Sequence, residues 1–256
     1  MARLPTVRLT LKQLFATEEE QAEILKSVEH SLPNLTPFQR TQYERTAAHL
    51  KDDKSANLQL VLVCHGLGEE GYADQSNIWP YLEPGKPMRV TAAMCLQYPL
   101  SRGSVHIKSA DPNEHPAVNP AFLEHPADVA VLAAGVKMME KMSGSKALEG
   151  KVAKRVFPKD TNADLSDTKQ AEAAVRDWVI SEYHPVGSCA VGDALDSRLR
   201  VKGVKNLRVA DASVFPNHVS GNCVSSVYAV AEKAADLIKE DWDHVALDAA
   251  LAKASL

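Results

Sequence analysis

A chain of 256 residues, 45 % hydrophobic and 24 % charged, has the proportions of a soluble globular protein with material for one large or two small domains. A formal net charge of −4 provides no basic footprint for phosphate backbones, so nucleic-acid binding is not expected. No apolar run reaches the roughly 20 residues of a membrane span. Cys64, Cys95, Cys189 and Cys223 lie far apart, without CxxC spacing, which argues for buried thiols in a reducing, cytoplasmic setting and against a metal site.

The N-terminal stretch MARLPTVRLTLKQLF has Arg3, Arg8 and Lys12 and no acid before Glu18, a composition shared with transit peptides. The alternation of Val7, Leu9 and Leu11 reads instead as a strand. Residues 17–31 open on Thr17 with glutamates in the first turn, where a helix dipole favours negative charge, and predict a helix. A second helix is expected from Thr36-Pro37 to about His49, with proline at the position whose N–H has no partner anyway.

NLQLVLVC at 57–64 predicts a strand, and Gly66-Leu-Gly68-Glu-Glu-Gly71 directly after it is a literal GxGxxG, the pattern of a dinucleotide-binding turn. Such a turn must lead into a helix whose amides face the phosphates. Here Pro80 and Pro84 interrupt any such helix, and Glu69 and Glu70 would face a dianion. A loop is the expectation, with a nicotinamide-binding protein as the least favoured reading.

MRVTAAMCLQYPLSRGSVHIKSADP, from 88 to 112, returns to extended character on both sides of a Ser101-Arg102-Gly103 turn. Strands joined so tightly are expected to pair antiparallel, and Arg102 reads as a turn or salt-bridge residue. Val129, Leu132, Ala133, Val136 and Met139 recur at helical spacing between Pro126 and Met142. A polar connection follows from Ser143, and Asp167 should cap a helix reaching Tyr183.

Residues 183–238 concentrate the remaining polar candidates. His184 precedes a proline and the small residues Gly187 and Ser188. Leu207 to Ser213 reads as a strand running into an Asp211-Ala212 turn. Asn222 opens an apolar helix, where an N-cap role is an ordinary explanation for asparagine. The tail after Trp242 predicts a last helix.

YHPVGSC, ADASVFP and SGNCVSSVYAVAEK resemble, in order and spacing, the C-terminal part of the glucose-methanol-choline (GMC) flavin oxidoreductases. YPLSRGSVHIKSADP and NPAFLEHPADVAVLAAGVKMMEKM extend the resemblance over roughly residues 95–240. It implies an α+β fold, mainly antiparallel sheet covered by helices, with a C-terminal strand and helix that complete an FAD-binding domain. The implied division is a substrate-binding domain at 1–182, a catalytic and flavin-contacting segment at 183–240 and a helical tail at 241–256. It also implies FAD-dependent oxidation of a small-molecule alcohol by hydride transfer to flavin N5. His184 would be the base, a task that a neutral imidazole performs near neutral pH, and Asn222 would orient the hydroxyl. Asp211, Ala212, Asn222, Cys223 and Val224 would contact the cofactor, and His218 competes for the role given to Asn222. The family's strand, Gly-rich turn and helix for the ADP half of FAD are not found in this sequence. The chain therefore reads as the back half of such an enzyme: a fragment, a half that pairs with a separate FAD-binding half, or a remnant. A non-catalytic binding or scaffold protein is the alternative.

Overall fold

The computed structural model describes residues 6–68, 71, 74–79, 84–85, 87–158 and 162–254, with side chains through Asp243. The chain divides into two compact units, Met1–Glu182 and Tyr183–Leu256.

The first unit is built on an antiparallel sheet in the order β1-β2-β3, with β1 at Thr6–Leu9, β2 at Leu58–Val63 and β3 at Thr91–Leu96. The register places Leu9 opposite Leu58 and Leu58 opposite Leu96. The N-terminal alternation is thus a strand as far as Leu9, and Leu11 enters a short helix, α1 at Leu11–Leu14. Arg3 lies outside the described residues.

The helices start where their side chains can satisfy free amides. In α2, Glu18–Ser31, the Thr17 hydroxyl accepts the Glu20 N–H, and the Glu20 carboxylate accepts the Thr17 N–H. Thr36 and Gln39 repeat the device in α3, Pro37–Lys51, with proline in the first turn. In α4, Pro126–Ser143, His125 is the cap and its Nδ1 accepts the Ala127 N–H. α4 lies close on the sheet at Gly135, where a Cβ would stand 2.5 Å from Leu58 Cδ2. That approach explains a glycine inside a helix, where it costs about 1 kcal/mol relative to alanine. Val28, Leu58, Leu100, Val129, Val131 and Ala171 form the driest part of this core.

The turn after β3 is clamped from below. The buried Asp128 carboxylate accepts the N–H of Leu100 at 2.9 Å and of Ser101 at 2.8 Å. Tyr43 donates its hydroxyl to Leu100 O at 2.8 Å. Arg102 donates to Pro99 O at 2.8 Å, with its guanidinium 5.7 Å over the Tyr43 ring, so it serves the turn. This clamp separates two strands that the sequence paired. β4, Ser104–His106, pairs with β5, Ala117–Asn119, and not with β3. A Cβ at Gly103 would meet Asn119 O at 2.3 Å, so the chain leaves the turn directly against its new partner.

The last helix of this unit, α5, spans Thr168–Trp178, with Asp167 accepting the Gln170 N–H. It was expected to reach Tyr183. It stops where β-branched Val179 and Ile180 follow, Val179 already extended at φ −72° and ψ 137°, and Trp178 stands edge-on to Phe157. Among the thiols of this unit, burial pushes Cys95 up to about 12. Cys64 is exposed, against the expectation of burial.

His125 gives this unit a pH dependence. With Nδ1 accepting from Ala127, the proton sits on Nε2, which meets the Ser31 hydroxyl at 3.1 Å. Burial lowers its pKa from the ordinary 6.5, with Asp128 opposing and Arg102 assisting. The unfolded chain therefore binds the proton first on acidification, and this contribution to stability, complete above about 6.5, declines until the folded imidazole also titrates. His125→Asn keeps a capping acceptor. Urea midpoints measured across this range should fall less steeply with acid in the variant than in the wild type.

In the second unit, Leu195, Leu199 and Val214 pack beneath Ala234 and Leu237 of α6, Val224–Ala254. The stretch predicted as a strand at 207–210 pairs locally through an antiparallel bridge of Arg208 with Arg200. Three arginines, Arg198, Arg200 and Arg208, converge on Asp241 and hold its carboxyl well below the usual range. α6 passes through Trp242 as one helix rather than restarting there. Another side of α6 carries a second apolar stripe, Val224, Tyr228, Ile238 and Trp242, all exposed. Ala231, expected on the packing face, is also exposed.

Candidate active site

Two left-handed backbone turns deliver the site. Tyr183, immediately before His184, has φ +65°, and Gly221, immediately before Asn222, has φ +85°. Glycine tolerates this region, whereas tyrosine in it is uncommon and stores about 1–3 kcal/mol of strain. Pro185 restricts the backbone on the other side of His184. Gly187 follows at φ +94°, where a Cβ would lie 3.5 Å from Phe215 O.

The two candidates meet. Asn222 Nδ2 lies 2.7 Å from His184 Nε2. On the other edge of the ring, Cys223 Sγ lies 3.6 Å from His184 Nδ1. The amide can only donate through Nδ2, so the network makes Nε2 the acceptor of a neutral imidazole and puts its proton on Nδ1. His184 is half-buried and Asn222 exposed, so the pair opens to solvent, while Cys223 is buried.

Asn222 does not cap α6. The first intrahelical bond runs from Val227 N–H to Cys223 O at 3.0 Å, which makes Cys223 the cap and leaves the Asn222 carboxamide for His184. His218, the competing residue, is half-buried, and the imidazole that meets Asn222 is that of His184. The role of Cys223 beside Nδ1 was not read from the sequence. Its signal was adjacency: a residue next to Asn222 at a helix start has little choice but to share its surroundings.

Asp211 is the N-cap of a 3₁₀ turn, Ala212–Val214, and accepts the Ser213 N–H at 2.8 Å and the Ser213 hydroxyl at 2.5 Å. Both bonds lower its pKa. Both bonds fall on Oδ1 of the exposed carboxylate, within its own turn. Val224 is 59 % exposed at the start of α6. Among the described residues of the GxGxxG segment, the Leu67 N–H donates to Thr91 Oγ1, that of Gly68 to Ile78 O and that of Gly71 to Gly68 O. A Cβ at Gly71 would meet Ile78 Cα at 2.2 Å, so the glycines serve close packing of the loop. Glu69, Glu70 and Pro80 lie outside the described residues.

Among the described residues no group of three or more His, Cys, Asp or Glu side chains could hold a metal ion, and no helix is long and apolar enough to cross a membrane. The first unit has an open cleft of about 390 Å³ lined by Glu140, Ser143, Gly144, Val152, Lys154 and Arg155. Arg155 is paired there with Glu140 at 3.2 Å.

The family model described as GMC oxidoreductase, in its C-terminal portion, matches residues 99–231, more than half of the chain and inclusive of His184 and Asn222. This chain belongs to the GMC oxidoreductase family. Dehydrogenase mpl7 of Monascus purpureus is 41 % identical over 205 residues, covering 80 % of this chain and 33 % of its own length. The alcohol dehydrogenase [acceptor] of Pseudomonas putida is 32 % identical over 165 residues, 63 % of this chain and 29 % of its own. Among solved structures, an FAD-dependent oxidoreductase from Chaetomium thermophilum aligns with a TM-score of 0.72 at 20 % identity, over 93 % of this chain and 39 % of that one. A formate oxidase of Aspergillus oryzae aligns at 0.63 and 26 %, over 83 % and 37 %. The α+β fold of antiparallel sheet and helices is thus the GMC fold. The chain spans about one third of the length of the curated relatives it matches.

Proposed function

We propose that this GMC chain carries the substrate-binding and catalytic residues of a flavoenzyme that oxidises an alcohol to a carbonyl compound. The reading rests on the 2.7 Å contact of Asn222 with His184 Nε2, which defines a basic lone pair and a hydrogen-bond donor at one exposed point. An alcohol entering there takes over the lone pair: its O–H donates to Nε2, and Asn222 Nδ2 turns to donate to the same oxygen. As the carbinol carbon loses its hydride, the hydroxyl proton passes to Nε2 and the C–O bond becomes a double bond. The carboxamide stabilises the negative charge that develops on oxygen along the way. His184 leaves the step as imidazolium and is regenerated by losing that proton to solvent.

FAD fits the residues present at its flavin end. The N-terminus of α6 at Cys223 and Val224 has first-turn amides without intrahelical partners and a positive dipole end. Small Ala212 and the ordered Asp211 turn offer a close-approach backbone. Asn222, Cys223, Val224, Asp211 and Ala212 would hold the flavin. When bound, FAD supplies the hydride acceptor at its N5. A separate or preceding FAD-binding half is the partner this reading requires, and the exposed stripe of Val224, Tyr228, Ile238 and Trp242 on α6 supports it, because about one third of a relative's length is present here.

The test is spectroscopic. Loaded with FAD together with its FAD-binding portion, the protein should lose its visible flavin absorption on anaerobic mixing with one of a panel of aliphatic and benzylic alcohols. A loaded, yellow protein that none of them bleaches would reject alcohol oxidation.

A further inference from the structure

We infer that Cys223 is a positioning residue for His184: its sulfur accepts the Nδ1–H of the imidazole and thereby keeps the lone pair on Nε2, the nitrogen that faces Asn222. This deepens the reading of the site as an alcohol-oxidising centre and rests on it for the identity of the base. A neutral histidine has two tautomers, and only the one protonated on Nδ1 presents a base at Nε2. In the other, Nε2 would point a proton at the substrate hydroxyl and no transfer could begin.

The geometry gives the sulfur little freedom. Cys223 is only 5 % exposed, caps a helix of 31 residues and accepts the Val227 N–H through its own carbonyl. Its Sγ lies 3.6 Å from Nδ1, on the edge of the ring away from Asn222. Because Asn222 and Cys223 are consecutive, the same start of α6 sets both edges of the imidazole: a donor to Nε2 and an acceptor from Nδ1. A thiol is a weak acceptor, but it is neutral, and it selects the tautomer without placing a fixed charge beside a site where charge must appear and disappear. No proton or electron passes through the sulfur. When Nε2 takes the hydroxyl proton, the Nδ1–H remains where it was.

The tautomer can be read directly by long-range proton–nitrogen correlation in protein labelled with ¹⁵N-histidine, at a pH where the imidazole is neutral, with the His184 signals assigned by their absence in His184→Gln. The wild type should show His184 mainly as the Nδ1–H form. Cys223→Ser, whose hydroxyl is also an acceptor, should retain that form. Cys223→Ala should shift the ratio toward Nε2–H by roughly three- to tenfold, the equivalent of one net hydrogen bond. A wild type dominated by Nε2–H, or a folded Cys223→Ala with an unchanged ratio, would overturn the inference. Should the alanine variant fail to fold, the wild-type and serine spectra decide alone: Nδ1–H in both supports it, and Nε2–H in either overturns it. The spectra need neither cofactor nor alcohol, so a protein with the expected tautomers that oxidises no alcohol would remove only the functional reading.

Discussion

With His184 replaced by alanine, alcohol-dependent reduction of the bound flavin should slow by about 10²- to 10⁴-fold, the contribution typical of a positioned general base. The loss should fall on kcat and kcat/KM alike, because the proton is transferred only in the transition state. Asn222→Ala removes a donor that orients the hydroxyl and stabilises charge on its oxygen, so both KM and kcat should worsen, with a smaller fall in kcat. Flavin content, read from the absorption ratio of cofactor to protein, should stay at the wild-type level in His184→Ala, since the residues proposed to hold the flavin lie at the start of α6, just before it, and on the Asp211 turn. Stopped-flow traces under anaerobic conditions separate the cases. A His184→Ala variant that reduces its flavin at the wild-type rate would end the assignment of this imidazole as the base.

The pairing of His184 with Asn222 is implied in the sequence by the resemblance of YHPVGSC and SGNCVSSVYAVAEK to the GMC family, whereas the direct 2.7 Å contact is seen only in the structure. Gly221 permits the left-handed turn before Asn222, and Pro185 and Gly187 constrain the chain after His184. The helix starts at Thr17, Thr36 and Asp167 were readable, since a cap and its amide lie within three residues. Two features escaped for a shared reason. The pairing of β4 with β5 instead of β3, and the stop of α5 at Trp178, depend on partners far along the chain: Asp128 beneath the 100–101 turn and Phe157 beside Trp178. His125 as a helix cap was also not read from the sequence, and its Nε2 meets Ser31, 94 positions away. Local chemistry fixes where elements begin, while their mates and ends are decided by contacts that no window of residues contains.

Asp128 is the position in the first unit where one substitution should do most damage to stability. Its carboxylate is almost fully buried in α4 and accepts the amides of both Leu100 and Ser101. Asp128→Ala would leave these two donors without an acceptor, at about 1–3 kcal/mol each, and would open a small cavity. It would also remove a negative charge that acts on Arg102. These effects overlap, and a total of about 3–5 kcal/mol is expected, a large share of the 5–15 kcal/mol that holds a typical domain. Asp128→Asn should cost about 1–2 kcal/mol, because one amide oxygen can still accept from the turn while the charge is lost. Urea unfolding monitored by the fluorescence of Trp178, which sits on α5 beside the α4 layer, should rank the proteins as wild type, Asn and Ala by midpoint. Equal midpoints for wild type and alanine would mean that the 100–101 turn finds other acceptors, and the clamp would lose its place as the device that separates β3 from β4.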